Sequence, residues 1–168
     1  MRIVEIKSGR DFDYQNFFLR GLREHEDFFR ISPDDEFQAE FPTRNRADSF
    51  TLGAVSDGGR GEKLIGVVSF EREGARREKL RHKGLLFRMY VDKNASGRGI
   101  GKLLIREVIA RAEALGDIEQ INLTVVGANE RAKGLYESFG FETFSIETKA
   151  IKYKGKYFNE ETMVLFLK

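Results

Sequence analysis

The chain contains no cysteine. That excludes disulfides, thiol nucleophiles and cysteine-ligated metals, although it says little about compartment. Histidine is nearly as scarce. His25 and His82 are the only two, too few for a histidine-rich metal site, and no metal is expected. An excess of one charge is missing too: 29 Lys and Arg stand against 27 Asp and Glu, interleaved along the chain. A nucleic-acid binder normally shows a broad basic face, which a net charge of +2 does not supply. No run approaches the ~18 apolar residues needed to span a bilayer, and the start from Met1 to Glu5 lacks a signal-peptide pattern. The expectation is a cytoplasmic protein with neither nucleic acid nor membrane as partner.

What is present fits an ordinary globular protein. At 168 residues, 33% charged and 40% hydrophobic, the chain is long enough to bury a continuous core, and one domain over 1–168 is expected. A first strand is predicted over 2–6, then a helix over 12–24 capped by Asp11, with Phe17, Phe18 and Leu22 inward. Ser32, Pro33, Asp34 and Asp35 form a second helix start, and Pro42 bounds that helix. Strands over 50–56 and 64–70 flank a glycine-rich turn at 57–61, and a charged linker over 71–83 leads to an apolar run over 85–91. A helix over 99–114 should bury Ile100, Leu103, Leu104, Val108 and Ala112. A strand over 121–126, a short helix over 130–139 and strands over 141–151 and 162–167, with a turn at Lys154 and Gly155, complete the chain. The order β-α-α-β-β-β-α-β-α-β-β specifies a mixed α/β domain, with a twisted central sheet flanked by helices.

Two stretches carry the chemistry. In the first, an apolar strand ending at Val91 runs into glycines at 97, 99 and 101, and a helix follows at once. Alternate glycines let a backbone approach a ligand closely, and a helix start offers unpaired N–H donors together with the positive end of its dipole. Phosphate or pyrophosphate is the natural guest, and Arg98 and Lys102 add positive charge. The loop is not a P-loop, because Leu103 follows Gly101 and Lys102 where Ser or Thr is required. Nor is it a dinucleotide fingerprint, since Lys102 takes the place of the third glycine. A plain tight turn is the alternative. In the second stretch Asn129 occupies a helix-cap position, Leu135, Phe139 and Phe141 read as core, and Tyr136 projects from another side of the helix.

Together the two stretches resemble the GNAT acetyltransferase superfamily. Gly99 and Gly101 match its R/Q-x-x-G-x-G/A element, with Ser96 where Arg or Gln is usual. Asn129, Ala132, Tyr136, Gly140 and Phe141 match its second hallmark, and the element order agrees over essentially the full chain. The resemblance implies acetyl-CoA as co-substrate. Its pyrophosphate would lie on Ser96, Gly97, Arg98, Gly99, Ile100, Gly101 and Lys102. Its pantetheine arm would lie along the backbone of Met89, Tyr90 and Val91, which requires neighbouring strands to splay. Asn129 would approach the pantetheine, and Tyr136 would protonate the departing thiolate. A thiol of pKa ~8.5 and a tyrosine of ~10 are nearly matched for that transfer.

The base is the missing part. A lysine-like amine of pKa ~10.4 is free base in about one molecule in 10³ at neutral pH, equivalent to about 4–5 kcal/mol. Relatives acting on protein N-termini often carry Glu where this chain has Thr124, and Leu85 and Phe87 replace histidines found in other relatives. Glu71, or Glu73 beside it, is the candidate base, set against the plainer reading of a solvated surface acid. His82 between Arg81 and Lys83 reads as a loop residue. Glu24, Glu26 and Asp27 read first as helix-end surface charge, with steering of a cationic amine as the alternative, and Phe28, Phe29 and Phe37 either bury aromatic surface or line an acceptor pocket. The resulting expectation is an N-acetyltransferase acting on a primary amine, with a small molecule favoured because Thr124 replaces the acid. The alternatives are a protein N-terminal or lysine acetyltransferase and a non-catalytic acyl-CoA-binding module. Strand edges near the C-terminus leave a homodimer open.

Overall fold

The computed structural model describes residues 1–57, 59 and 61–167. Seven strands form one sheet: β1 (Arg2–Ile6), β2 (Phe50–Asp57), β3 (Glu62–Glu73), β4 (Lys83–Val91), β5 (Gln120–Val126), β6 (Glu142–Tyr153) and β7 (Lys156–Phe166). Their spatial order is β1-β2-β3-β4-β5-β7-β6. The helices are α1 (Tyr14–Glu24), α2 (Pro33–Gln38), α3 (Ile100–Ala114) and α4 (Glu130–Glu137). This is the mixed α/β architecture read from the sequence. The turn expected at 57–61 includes residues 58 and 60, which lie outside the described residues, as does 168 at the end of the expected domain.

The local signals succeed where the side chains stay local. Ser32 and Asp35 make a reciprocal capping box on α2, with Pro33 in the first turn. Asp11, in contrast, caps no helix. Its carboxylate accepts the N–H groups of Lys7 and Ser8 at 2.9 and 3.0 Å, closing the turn after β1, and α1 starts only at Tyr14 after left-handed Phe12 and Asp13. The charged linker is shorter than expected because β3 continues to Glu73 and β4 starts at Lys83. Charge is tolerated there because it is paired: the Arg72 side chain, 3% exposed, donates to Asp48 at 2.9 Å and to Asp117 at 2.7 Å. β7 begins at Lys156 rather than 162, since its first half pairs along β6.

α3 packs on one face of the sheet, burying Ile100, Leu104, Ile105, Val108 and Ala112 against Phe70, Leu86 and Ile121. Leu103 lies at the margin of that arc, and Ile105 is fully buried. On the other face Phe17, Phe18 and Leu22 of α1 pack on Ile6, Val67 and Tyr90.

The feature that positions the site is a fork. Among the described residues β4 and β5 are the one parallel pair, joined only from Lys83–Gln120 to Leu85–Asn122. Beyond that point β4 pairs only with β3, and β5 only with β7. Gly84 makes the joint possible, because a Cβ there would stand 2.3 Å from the Phe70 ring. Just past the joint β4 bulges: Arg88 and Met89 together oppose Val68, and Arg88 adopts φ 53°. A bulge bends its strand, and here it turns β4 away from β5.

Candidate active site

The fork opens into a cleft of about 530 Å³. One wall is the free side of β4, with Met89, Tyr90 and Val91 lining the cavity. Their backbone groups facing β5 have no strand partner, so an extended guest can pair with them as a strand would. The mouth is the loop before α3, where Ser96, Gly97, Gly99, Ile100, Gly101 and Lys102 all line the cleft. Gly97 and Gly99 adopt φ 78° and 77°, a conformation that costs other residues roughly 1–2 kcal/mol. Gly101 is glycine for another reason. It is helical, and a Cβ would stand 2.9 Å from Leu135 and 3.3 Å from Met89. It therefore admits neighbouring side chains rather than supplying a special backbone angle.

Gly99 is the N-cap residue of α3, so the first N–H groups of this fifteen-residue helix point out of the helix unpaired. Lys102 stands there, and Arg98 beside it is exposed without lining the cleft. Neither has a carboxylate partner among the described residues. Two further cations, Lys93 and Arg131, line the cleft, and Arg131 reaches from α4 to hydrogen-bond the Ser96 hydroxyl. Sequence reading missed Arg131, although its place two residues after the α4 cap turns it toward the loop. Asn129 is at once a cap and a wall: its side-chain oxygen accepts the Ala132 N–H at 3.2 Å, and the residue lines the cleft.

The second stretch packs partly as expected. Phe141 is core as expected at 2% exposure, Leu135 and Phe139 are half-buried against the same core with Leu135 on the cleft wall, and Tyr136 is buried too, at 6% exposure with its ring against Phe141, and does not itself line the cleft. α4 also stops at Glu137, short of the expected Phe139, because Phe139 and Gly140 bond back to Tyr136 and Glu137 and Gly140 adopts φ 90°. Burial pushes the Tyr136 hydroxyl well above the ordinary tyrosine value, so it holds its proton throughout the neutral range. No charged group offsets that burial.

The other expected site residues fall around the fork. Glu71 lies level with the last parallel pair, opposite Leu85, and is ion-paired with Arg46 rather than lining the cleft. Glu73 accepts a hydrogen bond from Asn122 at 3.2 Å. Thr124 is half-buried opposite Thr162 of β7. His82 lies before β4, its carbonyl bonded by the Glu119 N–H, and Phe37 is exposed on α2. Phe28 and Phe29, expected at an acceptor pocket, line the same cavity as the glycine loop, together with His25. A second cavity of about 440 Å³ shares His25 and Phe28 and continues to Tyr153, Lys154 and Lys156 at the β6–β7 turn. The acids around it are already paired: Glu26 with Lys154 at 2.7 Å, Asp27 with Lys156 at 3.9 Å and Glu24 with Lys93 at 3.5 Å.

Known proteins share the sequence pattern and the fold. The sequence model of the Acetyltransferase (GNAT) family matches residues 18–141. A mycothiol acetyltransferase of Propionibacterium freudenreichii subsp. shermanii is 35% identical over 81 residues, covering 48% of this chain but only 26% of that relative's length. Among solved structures, a GNAT-family acetyltransferase from Streptococcus pneumoniae superposes with a TM-score of 0.78 at 24% identity, over 99% of this chain and 100% of the other. A ribosomal-protein-alanine N-acetyltransferase from Brucella melitensis gives 0.74 at 20% identity, over 99% of each chain. At those identities the structural likeness speaks for the fold. Among the described residues no helix is long and apolar enough to cross a membrane.

Proposed function

The chain belongs to the GNAT acetyltransferase family, and from that premise we propose that it transfers the acetyl group of acetyl-CoA directly to the primary amine of a small molecule. The observation that carries this reading is the fork between β4 and β5, which ends at unpaired helix N–H groups with Lys93, Lys102 and Arg131 lining the same cleft. A phosphate guest needs such donors, and a pantetheine arm needs a free strand edge on the way to them. Both line one cleft of about 530 Å³.

In this reading the backbone of residues 89–91 pairs with the arm, and residues 96–102 with Arg131 hold the pyrophosphate. Asn129 presents the remainder of its side chain to the same cleft. Acetyl-CoA, when bound, supplies the activated acyl carbon. Tyr136 is the proposed donor to the leaving sulfur; burial keeps it protonated but also widens its gap from a thiol of pKa ~8.5, so the near match expected from the sequence does not hold in this structure. Such general acid help is worth about 10²–10⁴-fold. Because the chain has no cysteine to carry the acyl group, the amine attacks it directly. Thr124, which cannot take a proton as the Glu often found there in N-terminal acetyltransferases can, supports a small-molecule acceptor.

Calorimetric titration with acetyl-CoA, CoA and ATP, paired with thiol release over an amine panel, tests the proposal. Binding of both CoA species but not ATP, abolished by Gly99→Glu, with amine-dependent thiol release, is expected. Absence of CoA binding would refute it.

A further inference from the structure

The transfer proposed above lacks one part, a group to take the proton of an amine that is an ammonium ion at neutral pH. Glu71 does not serve, being tied to Arg46 outside the cleft. His25 stands where such a group is needed. It follows α1 directly, its backbone N–H donating to the Gly21 carbonyl at 3.0 Å. The next three residues turn against β5, while the His25 ring faces the Tyr90 ring of β4 at 6.1 Å between centroids. The segment therefore crosses the fork from one arm to the other. Phe28 flanks the imidazole as well, 6.4 Å away and within 16° of parallel. His25 is half-buried and lines both cavities, which among the described residues only Phe28 also does.

The charged groups around the imidazole are otherwise engaged. Glu24 accepts from the Tyr90 hydroxyl at 3.3 Å and pairs with Lys93 at 3.5 Å. Glu26 pairs with Lys154 at 2.7 Å, and Asp27 with Lys156 at 3.9 Å. Burial raises the Tyr90 hydroxyl, so it stays protonated at neutral pH and takes no proton there. Arg23 completes the charges on the second cavity, and Lys102 and Arg131 those on the first. Cationic Lys and Arg side chains offer donors but no acceptor. Histidine is the side chain that exchanges a proton near neutrality, and its ring is the acceptor this place offers.

We propose that His25 is the general base of the acetyl transfer, receiving the proton of a cationic primary amine that enters through the second cavity. This deepens the proposed function and rests on it. The ammonium gives one proton to a ring nitrogen, directly or through a single water. Its freed lone pair then forms the N–C bond to the acyl carbon as the C–S bond breaks. The acylated nitrogen sheds a second proton while the sulfur gains one, so the products are the amide, CoA and a proton on His25. Exposed Arg23, Asp27 and Lys156 on the second cavity leave water close by to carry that proton away.

A histidine that merely packs beside Phe28 and Tyr90 makes a different prediction. His25→Phe keeps a flat ring there and removes the proton acceptor. With n-propylamine as acceptor, kcat/KM is expected to fall about 10²-fold or more at neutral pH, with acetyl-CoA affinity and Tm little changed. His82→Phe should leave kcat/KM intact. Wild-type kcat/KM should level off above the range in which histidine titrates, whereas His25→Phe should keep climbing toward the amine's own value of ~10.4, because only free amine reacts. The deficit should also vanish for 2,2,2-trifluoroethylamine, which is uncharged at neutral pH. Full activity of His25→Phe, or a deficit equal at every pH and for both amines, overturns the proposal. A titration without turnover uses CoA, which has no acyl group to give, together with n-propylammonium. The pair should shift the His25 ring resonances in NMR and spare those of His82, the only other histidine. CoA binding with an unmoved His25 strikes the base alone, whereas absence of CoA binding strikes the proposed function and the base with it.

Discussion

The carboxylate of Glu36 in α2 is ion-paired with the guanidinium of Arg88, the residue whose left-handed backbone forms the β4 bulge. Both side chains are largely buried, and the guanidinium also lies 5.0 Å over the Phe18 ring. One buried contact therefore ties α2 to the strand that opens the fork.

Removing half of that pair leaves the other charge buried alone. Glu36→Ala is expected to cost about 3–5 kcal/mol of stability, the range for breaking a buried ion pair from one side. Guanidinium chloride unfolding measures it, and a loss below about 1 kcal/mol would contradict the pairing.

Gly99 and Gly101 should fail in different ways. Gly99→Ala meets open space, so it is expected to cost only roughly 1–2 kcal/mol of backbone strain, with weaker acetyl-CoA binding as the loop shifts. Gly101→Ala places its methyl against Leu135 and Met89, and is expected to cost about 1–3 kcal/mol by overpacking. Combining Gly101→Ala with Leu135→Ala should recover part of that loss, which a double-mutant cycle in urea can read.

Tyr136→Phe keeps the ring on Phe141 and deletes one oxygen. A kcat lower by about 10²-fold or more is expected, with stability changed by less than about 1 kcal/mol. The wild-type pH profile should show no tyrosine ionisation through the neutral range, because burial raises that hydroxyl. Unchanged turnover in the variant would remove Tyr136 from the chemistry.

Tyr14 supplies a pH test of the fold itself. Its buried hydroxyl is pushed up from 10.0 to about 12, mainly by burial, with the charge of Arg88 opposing. The folded chain therefore holds this proton after the unfolded chain has lost it. Stability falls as pH rises between those two values, and this contribution is complete below the lower one. The two-unit difference corresponds to about 3 kcal/mol at most. Urea unfolding of wild type and Tyr14→Phe along an alkaline series should show a shallower decline in the variant.

The sequence was most legible where the governing interactions are local. The capping pair Ser32 and Asp35, the Asn129 cap and the Gly97–Gly99 loop are each set by neighbours within a few residues, and all fold as their spacing implies. The linker at 71–83 misled because Arg72 looked solvated, and its partners Asp48 and Asp117 are far away in sequence. Asp11 misled because two backbone donors at the end of β1 compete with the helix for one carboxylate.

By itself, then, the sequence determined the order of elements, the glycine loop before α3 and the family, because periodicity, capping and glycine placement act through short stretches of chain. The tertiary structure alone decided which residues meet. The branch of β4 from β5 after Leu85, the Arg131 that joins the loop from another helix, and the His25 ring beside Tyr90 are contacts between strands and segments remote in the chain. Such contacts depend on register and burial across the sheet, and no local pattern encodes them.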